Sequence, residues 1–142
     1  MKRVVLIAAL ALSVCVADQL TDLLSRAREH AQHVQGKGEA KAYVELVRAL
    51  VEDAGTKYTA QQYDDALKDL DEAHDALSKA RVSAEEHKHD IKQCDLILDG
   101  VDRRLRDFKR AFAAQDRAKV EKLDSEVATM REKLLQILFE TR

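Results

Sequence analysis

A chain of 142 residues, 46% hydrophobic and 35% charged, is long enough for one compact domain and too polar to lie wholly within a membrane. Its formal net charge of -2 gives no electrostatic reason to expect nucleic acid as a partner. Four glycines, no proline and 4% aromatic residues argue against strands and for an all-α protein, a helical bundle or coiled coil.

Residues 1–17 read as a secretory signal peptide. Lys2 and Arg3 supply the charged start, residues 4–12 the apolar core, and Cys15-Val16-Ala17 a small-x-small cleavage site. The mature chain then begins at Asp18, residues 18–142 form a single helical domain, and the protein is exported to the periplasm or the extracellular space. An uncleaved anchor is an alternative, although the apolar run falls short of the roughly 20 residues a span needs. Another is lipidation: Leu12-Ser13-Val14-Cys15 resembles the lipobox of bacterial lipoproteins, departing from it at Val14, and implies a lipid on Cys15 and an envelope-anchored protein. Cleavage after Ala17 leaves Cys94 as the only cysteine, which either forms an intermolecular disulfide or packs as a small buried hydrophobe.

Downstream, Leu20, Leu24, Ala27, Ala31 and Val34 recur every three to four residues and predict a helix over 18–35, ended by Gly36-Lys37-Gly38. A second helix over 39–58 carries Tyr43, Val47, Leu50, Ala54 and Tyr58. Val44, Leu46 and Val51 widen its stripe enough to meet more than one neighbour. Thr59-Ala60-Gln61-Gln62 matches a capping box flanked by Tyr58 and Tyr63 at the staple positions, which predicts a helical hairpin.

The longest pattern follows. One heptad set reads Tyr63, Leu70, Leu77, Ala84, Ile91, Leu98, Leu105, Phe112, and the other Ala66, Ala73, Ala80, His87, Cys94, Val101, Phe108. No glycine or proline marks a turn within residues 83–90, the weakest section, so the spacing predicts one central helix of about 50 residues over 60–113, some 80 Å long, the alternative being a bend at 83–90 that folds the two halves into a conventional bundle. Its first half offers alanines for close approach and its second half valine and phenylalanine for wider packing, so the halves meet different partners. Asp116 is a suitable N-cap for a last helix over 116–140, striped by Val120, Leu123, Val127, Met130, Leu134 and Ile137. Tyr63, Ala66, Leu70 and Ala73 also fall as in the middle of a tetratricopeptide repeat, which the stretch 58–73 resembles. No further copies follow at the repeat's period of about 34 residues, so the likeness reflects shared helix-hairpin packing.

No phosphate loop, nucleophile elbow or CxxC pair is present, so an enzyme is not expected, and no cofactor is assigned. The histidines are the candidates for site chemistry. His30 and His33, at i, i+3 beside Glu29, and His87 and His89, beside Glu85 and Glu86, are candidate metal ligands against a reading as solvated or structural residues. For haem, Met130 with His87 is the one axial pair that can be named. Arg103, Arg104, Arg106, Lys109 and Arg110 crowd around Leu105 and Phe108. Such a run suits peripheral contact with an anionic membrane or simply a solvated face. The preferred function is that of an exported, non-enzymatic scaffold, adaptor or chaperone-like envelope module that contacts a protein partner or itself. A periplasmic metal- or haem-binding bundle is the alternative.

Overall fold

The computed structural model describes the backbone of residues 2–140 and the side chains of residues 18–140. Cys15 and the cleavage site at 15–17 therefore lie outside the described side chains. Among the described residues there are five α-helices and no strand: α1 (Lys2–His33), α2 (Glu39–Thr59), α3 (Tyr63–His87), α4 (Ile91–Ala111) and α5 (Arg117–Glu140), with a 3-10 turn at Gly36–Gly38. No described helix is long and apolar enough to cross a membrane.

The single central helix expected over 60–113 is not formed. It is two helices, α3 and α4, joined by Lys88, His89 and Asp90, with Lys88 (φ 49°) and Asp90 (φ 56°) both left-handed. Each left-handed residue costs about 1–2 kcal/mol. The fold-back offsets that cost by burying both halves of the seam in one core: Ala84, Ile91, Leu98, Leu105 and Phe112 are all buried. The heptad phase continues across the link because both helices turn the same stripe inward, so unbroken phase does not distinguish a rod from a hairpin.

Ion pairs fix the helix directions. The α2–α3 hairpin is antiparallel, and α4 returns parallel to α2, with Arg104 reaching Glu52 (3.2 Å) and Phe112 stacking on Tyr58. Helix α5 then runs antiparallel to α4, joined by Lys109–Asp124 and Arg131–Asp95, and parallel to α3, joined by Lys119–Asp71 and Lys133–Glu85. Helix α2 lies at the centre, packed by α1, α3 and α4. This accounts for its wide stripe: Ala40, Ala42, Val44, Leu46, Val47, Leu50, Val51 and Ala54 are all buried. The alanine half meets α2 closely, whereas the half bearing Val101, Leu105 and Phe108 packs on α5 and α2.

The turn after α2 also departs from expectation. Thr59 is not an N-cap; it is the last residue of α2, its hydroxyl donates to the Gly55 carbonyl (2.9 Å), and α3 begins after Gln62 with no side-chain cap. The cause is Tyr58, which holds α2 in register by stacking on Phe112 (centroids 3.7 Å) and donating to Asp116 Oδ2 (2.8 Å). The Ala113 amide donates to the same hydroxyl (2.8 Å), and Tyr63 meets the Tyr58 ring edge-on at 4.7 Å. One phenol thus joins the α2–α3 turn to the α4–α5 turn. Gly55 lies one turn earlier, inside α2, where a Cβ would fall 2.9 Å from Phe108 Cζ. Glycine is required there for the close approach of the ring.

Candidate functional site

Three sets of polar or exposed groups stand out against the apolar core. The first is enclosed. Asp53 and Lys57 lie one turn apart on α2, on the same stripe as Leu46 and Leu50, and Asp69 faces them from α3. The Lys57 ammonium lies 2.7 Å from Asp53 Oδ2 and 3.2 Å from Asp69 Oδ2, so one cation serves two carboxyls that are only 6% and 4% exposed. Above them Arg28 of α1 makes a bidentate pair with Glu72 of α3, Nε to Oε2 at 2.8 Å and a terminal nitrogen to Oε1 at 2.9 Å. Burial, then the facing Asp53, pushes the Asp69 carboxyl up to about 7. Burial acts to raise Asp53 as well, but its hydrogen bonds with Asp69 and Lys57 outweigh that and hold it below its ordinary range.

The second set lies between α4 and α5. Asp102 and Asp124 face each other, but here each has its own cation: Arg106 pairs with Asp102 and Lys109 with Asp124. The hydrogen bond with Asp124 and the Arg106 contact hold Asp102 low against burial, while burial and Asp102 raise Asp124. Nearby, Arg131 grips Asp95 (2.8 Å) and Asp99 (3.1 Å). Three large apolar side chains of this helix pair are exposed near that clasp: Leu96, next to Asp95, at 66%; Leu135, one turn after Arg131, at 42%; and Phe139, a turn further, at 66%. Single exposed hydrophobes need no explanation, but three within one stretch of a helix pair do.

The third set is a groove of about 230 Å³ between α3 and α5, lined by His74, Leu77, Ser78, Arg81, Glu126, Thr129 and Met130. His74 Nδ1 meets Glu126 Oε2 across it.

The histidines expected to matter fall elsewhere. His30 and His33 are exposed near the end of α1. His87, half-buried, ends α3, with Nε2 3.9 Å from its neighbour Glu86, and exposed His89 lies 3.6 Å from its neighbour Asp90. The i, i+4 spacing of Glu85 and His89 has no helical meaning, because α3 ends between them. Among the described residues no three metal-ligating side chains converge. Met130 lines the His74 groove rather than one with His87. Cys94 is fully buried, and burial pushes its thiol up to about 11, so it packs as a small hydrophobe with no sulfur at the surface.

In the basic run Arg103 pairs with Asp99, Arg104 with Glu52, Arg106 with Asp102 and Lys109 with Asp124, and Arg110 stands exposed beside them. Most of that charge is therefore matched within the protein.

Sequence reasoning missed the Asp53–Lys57–Asp69 cluster and the one histidine with an interhelical partner. A signal for Asp69 was present: Asp69, Ala76 and Ser83 form a third heptad stripe on α3, and all three are buried. His74 and Glu126 each flank a seam residue, Ala73 and Val127, where charged side chains commonly pair across helices. No protein-family model, no curated protein and no solved structure matches the chain.

Proposed function

We propose that this chain is an exported, non-enzymatic helical module that works by contact, as a scaffold, adaptor or chaperone-like component of the cell envelope. The observation carrying this reading is the exposure of three large apolar side chains on the α4–α5 pair, Leu96, Leu135 and Phe139 near the Arg131 clasp. Fixed by two ion pairs and a packed core beneath, this surface is rigid enough to meet a partner protein or a second copy without reordering. The buried carboxyls are held by cations of the same chain, Lys57, Arg106 and Lys109, which favours a structural use of them over a reaction. Export rests on the signal-like residues 1–17.

Light scattering over a range of concentrations, with binding of a hydrophobic dye, tests the contact face. The reading expects dye binding or a mass that grows with concentration, both reduced in Leu96→Lys and Leu135→Lys. A monomer at every concentration that binds no dye, and that the two substitutions leave unchanged, overturns it. The intact mass of the protein recovered from cells tests the export step, by distinguishing cleavage after Ala17 from a lipid on Cys15 or a retained anchor.

A further inference from the structure

We infer that α1 is a proton-sensitive strap, which docks over the Asp53–Lys57–Asp69 cluster while the two carboxyls share a proton and loosens when both are ionised. This goes beyond the contact role proposed above and does not depend on it.

The register places α1 over the cluster. Ala31 and Gln32 share a groove with Tyr43 and Leu46 of α2, whereas Leu20, Leu23 and Ala27 share one with Ala49 and Glu52, so the two helices are antiparallel. Leu24, one turn before the Arg28 that staples α1 to Glu72, is 4% exposed and lies level with Asp53. The helix is held lightly for its length. Of its described side chains only Leu24 and Ala31 are buried, with Leu20, Ala27 and Arg28 half-buried. Its tether is the turn at Gly36–Gly38, where Gly36 is left-handed (φ 78°) with open space around it.

The charged groups facing the cluster are Arg28 from α1, Asp53 and Lys57 from α2 and Asp69 from α3, with Glu72 of α3 acting on Arg28. Fully ionised, these five sum to one negative charge. A single shared proton makes them neutral, and only the neutral set is suited to a covered site. When α1 lifts, water reaches the carboxyls and the penalty for ionising both disappears. The proton and the docked strap therefore stabilise each other, against the opposing attraction between Arg28 and a second carboxylate. Lifting α1 uncovers the strip of α2 around Leu46 and Ala49.

Amide hydrogen exchange on the full chain tests this, with rates corrected for the intrinsic dependence of exchange on pH and compared at about pH 6 and about pH 8. The expected result is an opening equilibrium for the amides of residues 24–31 that rises about tenfold over that interval and lies well above that of α4 and α5, whose amides open only with the whole fold. In Asp69→Asn, which is neutral at both pH values, the rise is expected to vanish. Equal opening of α1 at both pH values overturns the inference. So does an opening of residues 24–31 that equals that of α4 and α5 at both pH values, which assigns the effect to global unfolding, or an undiminished rise in a folded Asp69→Asn. The comparison in the unsubstituted protein decides the matter even if that variant does not fold.

Discussion

The α2–α3 pair buries two facing aspartates and the α4–α5 pair a buried Asp102 facing a half-buried Asp124, yet they neutralise them differently. Between α2 and α3 the approach is close, set by Ala66, Ala73 and Ala80, and Lys57 alone serves Asp53 and Asp69. Between α4 and α5 the contact is made by Leu98, Leu105, Leu123 and Val127, the carboxyls lie nearer solvent, and Arg106 and Lys109 take one each. The lesson is that the charge state of a buried carboxyl pair follows from how many cations reach it, and that a tight interface admits fewer. One pair holds a proton near neutrality; in the other each carboxyl has its own cation, with Asp102 held low and Asp124 raised.

Substitutions can break that contrast, and the largest effect is expected from Lys57→Ala. It leaves two enclosed carboxyls with no cation between them, and a loss of about 3–5 kcal/mol is expected in urea unfolding at neutral pH. Leu105→Ala opens a cavity in the wider interface and should cost about 2–5 kcal/mol by the same measurement. Ala73→Leu forces extra volume into the close interface, at about 1–3 kcal/mol. If the two packing variants exchanged rank, the assignment of tight and wide interfaces would be wrong.

The pH dependence sharpens the same contrast. Asp69 is raised in the folded protein, so its contribution to stability is complete below the ordinary carboxylate range and is lost as pH rises through about 7. Thermal melts from about pH 5 to about pH 8 should therefore show falling stability, with a slope of at most about 1.4 kcal/mol per pH unit, and Asp69→Asn should flatten it. Asp53 is lowered and acts in the opposite sense, but only in more acidic solution, below the ordinary carboxylate range. The smallest effect is expected from Arg106→Ala. Its side chain is 62% exposed, so its pair with Asp102 is screened and its loss should cost less than about 1 kcal/mol, measured against Lys57→Ala in one urea series.

Much of the fold was legible in the sequence because burial has a period. The stripes on α1, α2 and α5 and both heptad sets on α3 and α4 are buried nearly as spaced, and α2 and α5 begin and end within a residue of expectation. The turn at Lys88–Asp90 was legible only as a weak section and a second choice, since two ordinary residues adopt a conformation usually marked by glycine or asparagine, and the packing that holds them there is tertiary. The capping box failed for a related reason: a contact between Tyr58 and residues more than fifty positions away outweighed a local signal worth about 1 kcal/mol. For the site, counting histidines pointed to residues at helix ends. The enclosed charges arose instead from Asp53 and Lys57 on the wide stripe of α2 and Asp69 on a third stripe of α3, which the crowding of α1, α2 and α3 encloses.

Gly55 and Phe108 carry a consequence for how such a sequence varies. Because a Cβ at 55 would meet the Phe108 ring, the two positions share one volume, and neither is free to change alone. Gly55→Ala should be rescued in part by Phe108→Leu, and relatives that keep this bundle should exchange size between the two positions as a linked pair.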